Sequence, residues 1–240
     1  MTTEAPPTFR PLYQQVRERL LGRLIDGTWP PGVSLPSEQQ LAQELGVSQG
    51  TVRKALDALT AEQLLVRAQG RGTFVAEAED NRILFRYFRL TADDDSRKFP
   101  ESAVSSLRQR AAGSEHRERL QLAKGDKVWV LERTRQLAGR TIIVETIVLS
   151  VARFPGLDRI ERIVNNVYGL YSSRFGLTVG RVTEKLKAIA ASEKDATGLR
   201  CKKGTPLLQV DRIAYSLGGM PVEWRVSRCL TDTFHYLSEL

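Results

Sequence analysis

The stretch LAQELGVSQGTVRKALDAL, residues 41–59, decides the fold of the first third of this chain. Its apolar residues recur at helical spacing on both sides of Gly46-Val47-Ser48, a short turn whose serine is a favourable residue for starting a helix. Two short helices joined by a glycine-containing turn form a helix-turn-helix. The second helix is predicted to bury Val52, Ala55, Leu56 and Leu59 and to expose Gln49, Thr51, Arg53 and Lys54.

The flanking sequence adds three further elements. Residues 11–26 predict a helix, because Leu12, Val16, Leu20 and Leu24 recur at four-residue steps. Ser37, with Gln40 three residues later, predicts a capping box at the start of the helix-turn-helix. Residues 64–75 predict two short strands around the turn Gly70-Arg71-Gly72, which would form a wing. Each piece alone also occurs in domains that bind no nucleic acid, but their order predicts a winged helix-turn-helix over residues 9–76.

The ordered motifs LPSE (35–38), LGVS (45–48), TVRKAL (51–56) and GRGTFV (70–75) resemble those of the GntR family of bacterial transcription factors. The resemblance covers about residues 10–76. It implies that the N-terminal part of the second helix enters the DNA major groove while the wing reaches phosphate or the minor groove. The residues it places against DNA are Ser37, Gln39, Ser48, Gln49, Thr51, Arg53, Gly70 and Arg71, with the exposed Lys54 beside them.

Two of these positions depart from the family pattern. The family most often has arginine where this chain has Gln39 and Gln49. Arginine pairs with guanine through two hydrogen bonds, whereas glutamine pairs with adenine N6 and N7. We therefore expect an operator whose base preference differs from the common GntR half-site at these contacts.

Net charge gives weaker support for DNA binding than its size suggests. The chain carries a formal charge of +8, which is typical of a protein with a polyanionic partner. Within residues 1–75, however, eight basic residues stand against seven acidic ones, so most of the excess lies outside the predicted DNA-binding module. The local motifs must carry the functional prediction.

The remaining composition predicts a cytoplasmic protein without a membrane segment. No apolar run approaches the roughly 18 residues of a membrane helix, and residues 1–8 do not resemble a signal peptide. Cys201 and Cys229 are the two cysteines, and their spacing fits neither a metal site nor a disulfide framework. Asp93-Asp94-Asp95 predicts a solvated turn, so no metal and no cofactor is expected.

An internal repeat organises the second part of the chain, residues 83–240, which follows a predicted linker at residues 77–82. KGDKVWVLER (124–133) matches KGTPLLQVDR (203–212) at an offset of 79 residues. Each copy follows a helix-like stretch, 114–122 or 192–199, and continues through a glycine turn into a second apolar strand. Two such units predict one antiparallel sheet with helices on a face, an α+β domain. A strand at 83–90, a helix at 167–175 and a strand at 179–189 are also expected.

This domain resembles the UTRA effector domain of the HutC subfamily, through motifs such as FPGLD (154–158), VYGLY (167–171) and GMPVEW (219–224). The resemblance implies a fold like that of chorismate lyase without its activity, a small-molecule pocket and a homodimer. The positions that match ligand contacts are Arg133, Arg135, Glu145, Asn166, Tyr168 and Glu223, with less support for Ser102, Ser105 and Ser106. The family often has a Tyr-Arg pair where this chain has Cys229-Leu230, which predicts a less cationic pocket.

Alternative interpretations of these residues remain open. Strand arginines opposite strand glutamates, such as Arg133 and Glu145, are often structural ion pairs. Trp224 would stack on a ligand or, more commonly, pack in the core. A fold similar to that of a lyase leaves an enzyme as one alternative, although two histidines and no nucleophile motif argue against it. A DNA-binding architectural protein without an effector is the other.

The sequence therefore predicts an effector-responsive transcriptional regulator, with repression as its usual outcome. Its expected partners are a pseudo-palindromic double-stranded DNA operator, a small metabolite and a second copy of the chain. Release would follow from a change in the spacing of two winged helices when the effector binds.

Overall fold

A computed structural model describes residues 11–25, 28–76, 87–94 and 99–238 of the chain. The chain divides into two compact units, 1–77 and 78–240. The predicted linker, 77–82, lies outside the described residues.

The first unit contains three helices and a hairpin: α1 (Leu12–Ile25), α2 (Glu38–Leu45), α3 (Gln49–Ala61), β1 (Leu65–Ala68) and β2 (Gly72–Val75). Its core forms where the predicted apolar faces meet, and Leu20, Leu41 and Leu56 are almost completely buried. The predicted apolar face of α1 is buried from Val16 onward. Leu12 instead lies half exposed, because it stands at the very start of the helix.

The wing is a three-stranded arrangement rather than a simple hairpin. β1 pairs antiparallel with β2, and the segment before α2 pairs with the outer side of β2. The backbone of Leu35 donates to the carbonyl of Thr73 (2.8 Å), and that of Val75 donates to Val33 (2.9 Å). The proline-rich segment that breaks the chain after α1 therefore also anchors the base of the wing.

The second unit is built on one six-stranded antiparallel sheet in the order β4-β5-β6-β9-β8-β7. A short two-stranded pair, β3 with β10, stands apart from it. The strands are β3 (Leu90–Ala92), β4 (Glu101–Ala111), β5 (Lys127–Leu137), β6 (Arg140–Ser150), β7 (Val179–Ala190), β8 (Pro206–Ser216), β9 (Pro221–Leu230) and β10 (Phe234–Tyr236). The helices are α4 (Ser114–Leu120), α5 (Val167–Phe175) and α6 (Glu193–Leu199), with a 3₁₀ turn at Leu157–Arg159.

The predicted internal repeat shapes this sheet. Each copy is a strand, a helix and a hairpin, β4-α4-β5-β6 and β7-α6-β8-β9, and β6 pairs with β9 to join them at the centre. The α+β prediction and the helix at 167–175 are confirmed. β4 was not predicted, although the offset of 79 residues aligns it with the predicted β7.

The expected strand at 83–90 is wrong where it can be compared. Residues 83–86 lie outside the described residues, and 87–89 carry no strand pairing. The strand begins only at Leu90 and pairs with β10. The side chains of Tyr87 and Phe88 instead pack into apolar clusters of the second unit.

The two faces of the sheet carry different partners. Alternate residues of each strand point to opposite faces. On one face, α4 and α6 cover small apolar clusters around Leu120 and Leu199. On the other, α5 and the 3₁₀ turn cover a larger core that includes Trp129, Ile147 and Tyr171. Odd-numbered residues of β5 and β6 point to this second face, and there the core gives way to a pocket.

Candidate functional site

Local capping fixes the start of both helices in the helix-turn-helix. The Ser37 hydroxyl accepts from the Gln40 backbone (3.2 Å), and the Gln40 side chain accepts from the Ser37 backbone (2.8 Å). The Ser48 hydroxyl accepts from the Thr51 backbone (3.2 Å). Gly46 closes α2 in the left-handed conformation, φ 66°. The turn between the helices is therefore fixed by the predicted residues.

The residues predicted to face DNA lie mostly on the exposed side of this unit. The start of α3 exposes Gln49, Arg53 and Lys54, while its other side is buried in the core. Thr51 is half-buried and its hydroxyl lies 2.9 Å from that of Ser48. The other predicted residues, Ser37, Gln39, Ser48, Gly70 and Arg71, are exposed as well.

Sequence reasoning missed the role of Glu38. Its carboxylate accepts from Arg53 Nε (2.9 Å), from Gln49 Nε2 (3.5 Å) and from Arg67 (3.3 Å). Arg67 lies on β1 and also contacts Asp57 (2.7 Å). This carboxylate therefore connects the start of α2 to the recognition helix and to the wing. The glutamate was visible in the LPSE motif, but the motif does not show what it contacts.

The turn of the wing depends on its glycines. Gly70 and Gly72 have φ values of 73° and 111°, which side-chain-bearing residues rarely adopt. The backbone of Arg71 donates to Ala68 (2.9 Å), which closes the turn. The Arg71 guanidinium lies above the Phe74 ring, 5.9 Å from its centroid. An exposed arginine is thereby held at the tip, where it can reach a phosphate or the minor groove.

The second unit contains a pocket between the sheet, the start of α5, the 87–90 segment and β10. It encloses about 600 Å³ of non-atom space, which includes the open solvent at its mouth. Five of the six predicted effector contacts are within its wall. The lining residues are Tyr87, Phe88, Arg89, Leu90, Arg133, Arg135, Ile143, Glu145, Asn165, Asn166, Val167, Tyr168, Val210, Arg212, Arg225, Ser227, Cys229 and Tyr236.

Three of the pocket arginines are paired with buried carboxylates. Arg133 Nε donates to Glu145 (2.6 Å), and Arg212 Nε donates to Glu184 (2.7 Å). Arg225 donates through two nitrogens to Glu223, at 3.0 and 2.7 Å. Arg212 was visible in the sequence, since the repeat aligns it with Arg133. These three arginines therefore form ion pairs within the protein and also line the pocket.

These pairs set the ionisation of the carboxylates. Burial raises the pKa of Glu145, but the positive charges of Arg133, Arg225 and Arg135 outweigh that effect and hold it well below its usual range. Glu145 also accepts from the Ser227 hydroxyl (3.1 Å). The carboxylate therefore stays charged at neutral pH, and each of its two oxygens already accepts from a protein donor.

Arg135 differs from the other three. Within the described residues it has no carboxylate within 4.0 Å, and its Nε is buried without a hydrogen-bond partner. Its guanidinium packs against two rings that also contact each other, 4.6 Å from the centroid of Phe88 and 4.5 Å from that of Phe99. Burial lowers the pKa of Arg135 to about 9, although Glu145 opposes this shift. It is a desolvated cation in a pocket wall.

The start of α5 supplies further polar groups. Asn166 caps the helix by accepting from the Gly169 backbone (3.2 Å), and Tyr168 donates to Glu223 (3.0 Å). Burial and the Glu223 charge raise the pKa of Tyr168 to about 12, so its hydroxyl stays protonated. Glu223 itself is fully buried behind the wall, where it also accepts from Tyr171 (2.7 Å). Its position corrects the expected ligand contact, because it orients Tyr168 and Arg225 instead.

Several weaker expectations are corrected by position. Ser105 and Ser106 bond to Glu132 and point away from the pocket, while Ser102 accepts only a long contact (3.5 Å) from Arg133. Trp224 lies on the opposite face of the sheet and donates to Asp211 (2.8 Å), so it does not stack on a pocket ligand. Cys229 lines the pocket beside five arginines, three of which have carboxylate partners.

Two observations concern other classes of site. In the described part of the chain, no three histidine, cysteine, aspartate or glutamate side chains are grouped so that they could hold a metal ion. None of the helices described is both long enough and apolar enough to span a bilayer.

Two family profiles match the chain and together cover both units. The profile described as "Bacterial regulatory proteins, gntR family" matches residues 12–75, and that of the UTRA domain matches residues 95–235. The match to the UTRA domain alone covers more than half of the chain.

Curated relatives and a solved structure agree with these profiles. The histidine utilization repressor of Pseudomonas putida is 32% identical, over 88% of this chain and 85% of that protein. The mannosyl-D-glycerate transport/metabolism system repressor MngR of Escherichia coli (strain K12) is 27% identical, over 95% of each. A crystal structure described as the ligand-binding domain of a GntR-family transcriptional regulator from Bordetella bronchiseptica is 34% identical, with a TM-score of 0.61, over 65% of this chain and 98% of that one. These relatives are named as transcriptional regulators rather than as enzymes.

Proposed function

Because the chain belongs to the GntR family of bacterial transcriptional regulators, in the HutC subfamily with a UTRA domain, we propose that it is a repressor released from its operator by an anionic metabolite. Residues 9–76 bind the operator, residues 83–240 bind the effector, and residues 77–82 link them. The relatives named as repressors of utilization or transport systems support repression of a catabolic operon.

The main support for an anionic effector is that Arg135 is buried without a carboxylate partner among the described residues. A buried cation without a carboxylate partner destabilises a folded protein, because desolvation is not offset by pairing. An anionic group bound in the pocket supplies the missing partner. The other buried arginines already have carboxylates, so they shape the pocket more than they attract charge.

The proposal of DNA binding rests on exposed side chains of helices whose first turns are fixed by capping hydrogen bonds. Gln49 and Gln39 read bases, with adenine preferred over guanine, while Arg53, Lys54 and Arg71 contact phosphates or the minor groove. Glu38 holds Arg53 and Gln49 in place, since it accepts from both. A homodimer would present two such helices to a pseudo-palindromic operator in the cytoplasm.

Selection of the operator from random duplexes tests the DNA part. We expect two inverted half-sites with adenine at the Gln49 contact, and Gln49→Arg should move the preference there to guanine. Gln15→Arg on α1 is the matched control, because it adds the same charge outside the predicted DNA-facing set and should leave the base preference unchanged. Selection of a single half-site, or of guanine by the unmodified protein, contradicts the proposal.

Operator binding in the presence of pocket ligands tests the effector part. Metabolites are screened by thermal shift on the full-length protein, and each one that binds is added to the labelled operator in an anisotropy titration. An effector should weaken operator binding by about 5- to 150-fold, and the operator should weaken effector binding by the same factor. A ligand shown to occupy the pocket that leaves the operator affinity unchanged refutes release as the mechanism.

A further inference from the structure

Two buried side-chain polar atoms lack a hydrogen-bond partner in the described part of the chain, and both belong to residues of the pocket wall. They are Arg135 Nε, a donor, and Asn165 Oδ1, an acceptor. Buried polar groups are almost always paired, so each such exception calls for a cause. Their occurrence in one pocket indicates that a single ligand completes both.

The orientation of the Asn165 amide is fixed by its neighbours. Its Nδ2 donates to the carbonyl oxygen of Pro100 (2.7 Å), which only an N–H group can do. A flipped amide would place two oxygen atoms against each other. The free atom is therefore the oxygen, and it requires a donor from the ligand.

Arg135 and Asn165 are direct neighbours. The Pro100 carbonyl that accepts from Asn165 also accepts from Arg135, through a longer contact of 3.5 Å. The backbone oxygen of Asn165 is occupied by Arg133 (3.2 Å). The unpaired donor and the unpaired acceptor therefore serve the same end of a ligand.

The charge of the pocket limits the charge of that ligand. Arg133, Arg212 and Arg225 each have a buried carboxylate, so Arg135 is the one buried cation left over among the described pocket residues. Arg89 also lines the pocket, but it is half-buried and keeps access to water. One negative charge balances the buried groups, whereas a second would be desolvated without a buried partner.

We infer that the effector is a monoanion with an N–H or O–H donor beside its anionic group, as in a hydroxy or amino carboxylate. Arg135 holds the anion and Asn165 Oδ1 accepts from the donor. Tyr87, Phe88 and Tyr168 line the same pocket and suit an aromatic or apolar body. This assignment rests on the proposed function, since it describes the ligand of the same pocket.

Three probes that share a phenyl body test the inference by calorimetry on the full-length protein. They are 3-phenyllactate, which has an anion and a donor; 3-phenylpropionate, which lacks the hydroxyl; and phenyl phosphate, which is largely dianionic at neutral pH. We expect 3-phenyllactate to bind about tenfold more tightly than 3-phenylpropionate, because the latter leaves Asn165 Oδ1 unpaired. It should also bind more tightly than phenyl phosphate.

Two substitutions assign the effect to these atoms. Asn165→Leu keeps the same branched arrangement of four side-chain heavy atoms but removes the acceptor, together with the donor to Pro100, so the two carboxylates should then bind with similar affinity. Asn165→Asp retains an acceptor but places a carboxylate beside Arg135, so binding of both should be lost. Circular dichroism establishes that each variant is folded, and the second variant keeps the test decisive if the first does not fold.

Other results overturn the inference. They are equal binding of the two carboxylates by the unmodified protein, tighter binding of phenyl phosphate, unchanged discrimination in Asn165→Leu, or no binding of any probe. The experiment contains no DNA, so its failure leaves operator release untouched. Conversely, pocket ligands that behave as expected but do not affect operator binding refute the proposed function alone.

Discussion

Replacing Arg135 with methionine should make the unliganded protein more stable while removing its affinity for anions. Methionine keeps an unbranched side chain against the two phenylalanine rings but carries no charge. Lowering the pKa of Arg135 to about 9 corresponds to roughly 5 kcal/mol of desolvation cost, as an upper bound, since each pKa unit equals about 1.4 kcal/mol. Loss of the cation–π contacts with Phe88 and Phe99 costs about 2 kcal/mol and offsets part of this gain in stability. We expect a net gain of about 1–3 kcal/mol.

Urea unfolding followed by tryptophan fluorescence measures this gain, and its pH dependence identifies the cause. The pKa of Arg135 is lower in the folded protein than in the unfolded chain. The destabilisation is therefore fully present below about pH 9 and diminishes above it, because the folded protein then binds fewer protons than the unfolded chain. The difference between the variant and the unmodified protein should therefore be constant up to about pH 9 and shrink as the pH rises above it, towards the higher pKa of this arginine in the unfolded chain.

Arg140→Met is the matched control, because Arg140 forms an exposed pair with Asp232. Such pairs contribute little, so its unfolding free energy should change by less than about 1 kcal/mol. A loss of stability in Arg135→Met, or a gain that does not depend on pH, would falsify the view that Arg135 is an uncompensated cation.

Glu145→Gln should cost about 3–5 kcal/mol of unfolding free energy by chemical denaturation, because it leaves buried arginines without their carboxylate. The folded pKa of Glu145 lies well below its usual range, so this contribution should be present above about pH 5 and be lost as pH falls further. Gly198→Ala on α6 should lower the melting temperature, since the new Cβ would lie 2.8 Å from Val144 Cγ1. Gly22→Ala on α1, where no atom lies within 4 Å, should instead stabilise by about 1 kcal/mol, and the opposite ranking of the two would contradict the packing argument. Arg71→Ala should reduce the slope of log affinity against log salt by about 1 in operator titrations, and an unchanged slope would remove the wing from the phosphate contacts.

The winged helix was predictable because its determinants are local. A capping box at Ser37, a left-handed glycine at position 46 and a helical apolar period lie within a few residues of the elements that they fix. The network around Glu38 could not be predicted in the same way. Its partners lie 11, 15 and 29 residues away in the sequence, and only the packing of α2, α3 and β1 brings them together.

The pocket was predictable only in part, for a similar reason. Strand alternation places Arg133 and Arg135 on one face, and the hairpin places Glu145 opposite Arg133. Which arginine would have a carboxylate partner depends on contacts between distant segments. Glu184, which pairs with Arg212, lies on a different strand, and Asn165 lies in a loop without a periodic pattern. Sequence reasoning therefore found the cationic wall but could not tell that Arg135 is the unpaired member.

The pocket wall includes the part of the second unit that follows the DNA-binding unit most closely in the described sequence. The segment that begins at Tyr87 is the first described part of the chain after residue 76. Phe88 lies against the Arg135 guanidinium, and the carbonyl of Tyr87 accepts from Arg212. An anion that pairs with Arg135 changes the group on which Phe88 packs, so its binding free energy acts on this segment of the pocket wall. An effector shifts a conformational equilibrium only by its differential affinity for the two states. The pocket wall contains one unpaired donor and one unpaired acceptor among its described residues. A ligand that pairs with both therefore binds more tightly to one of the two states.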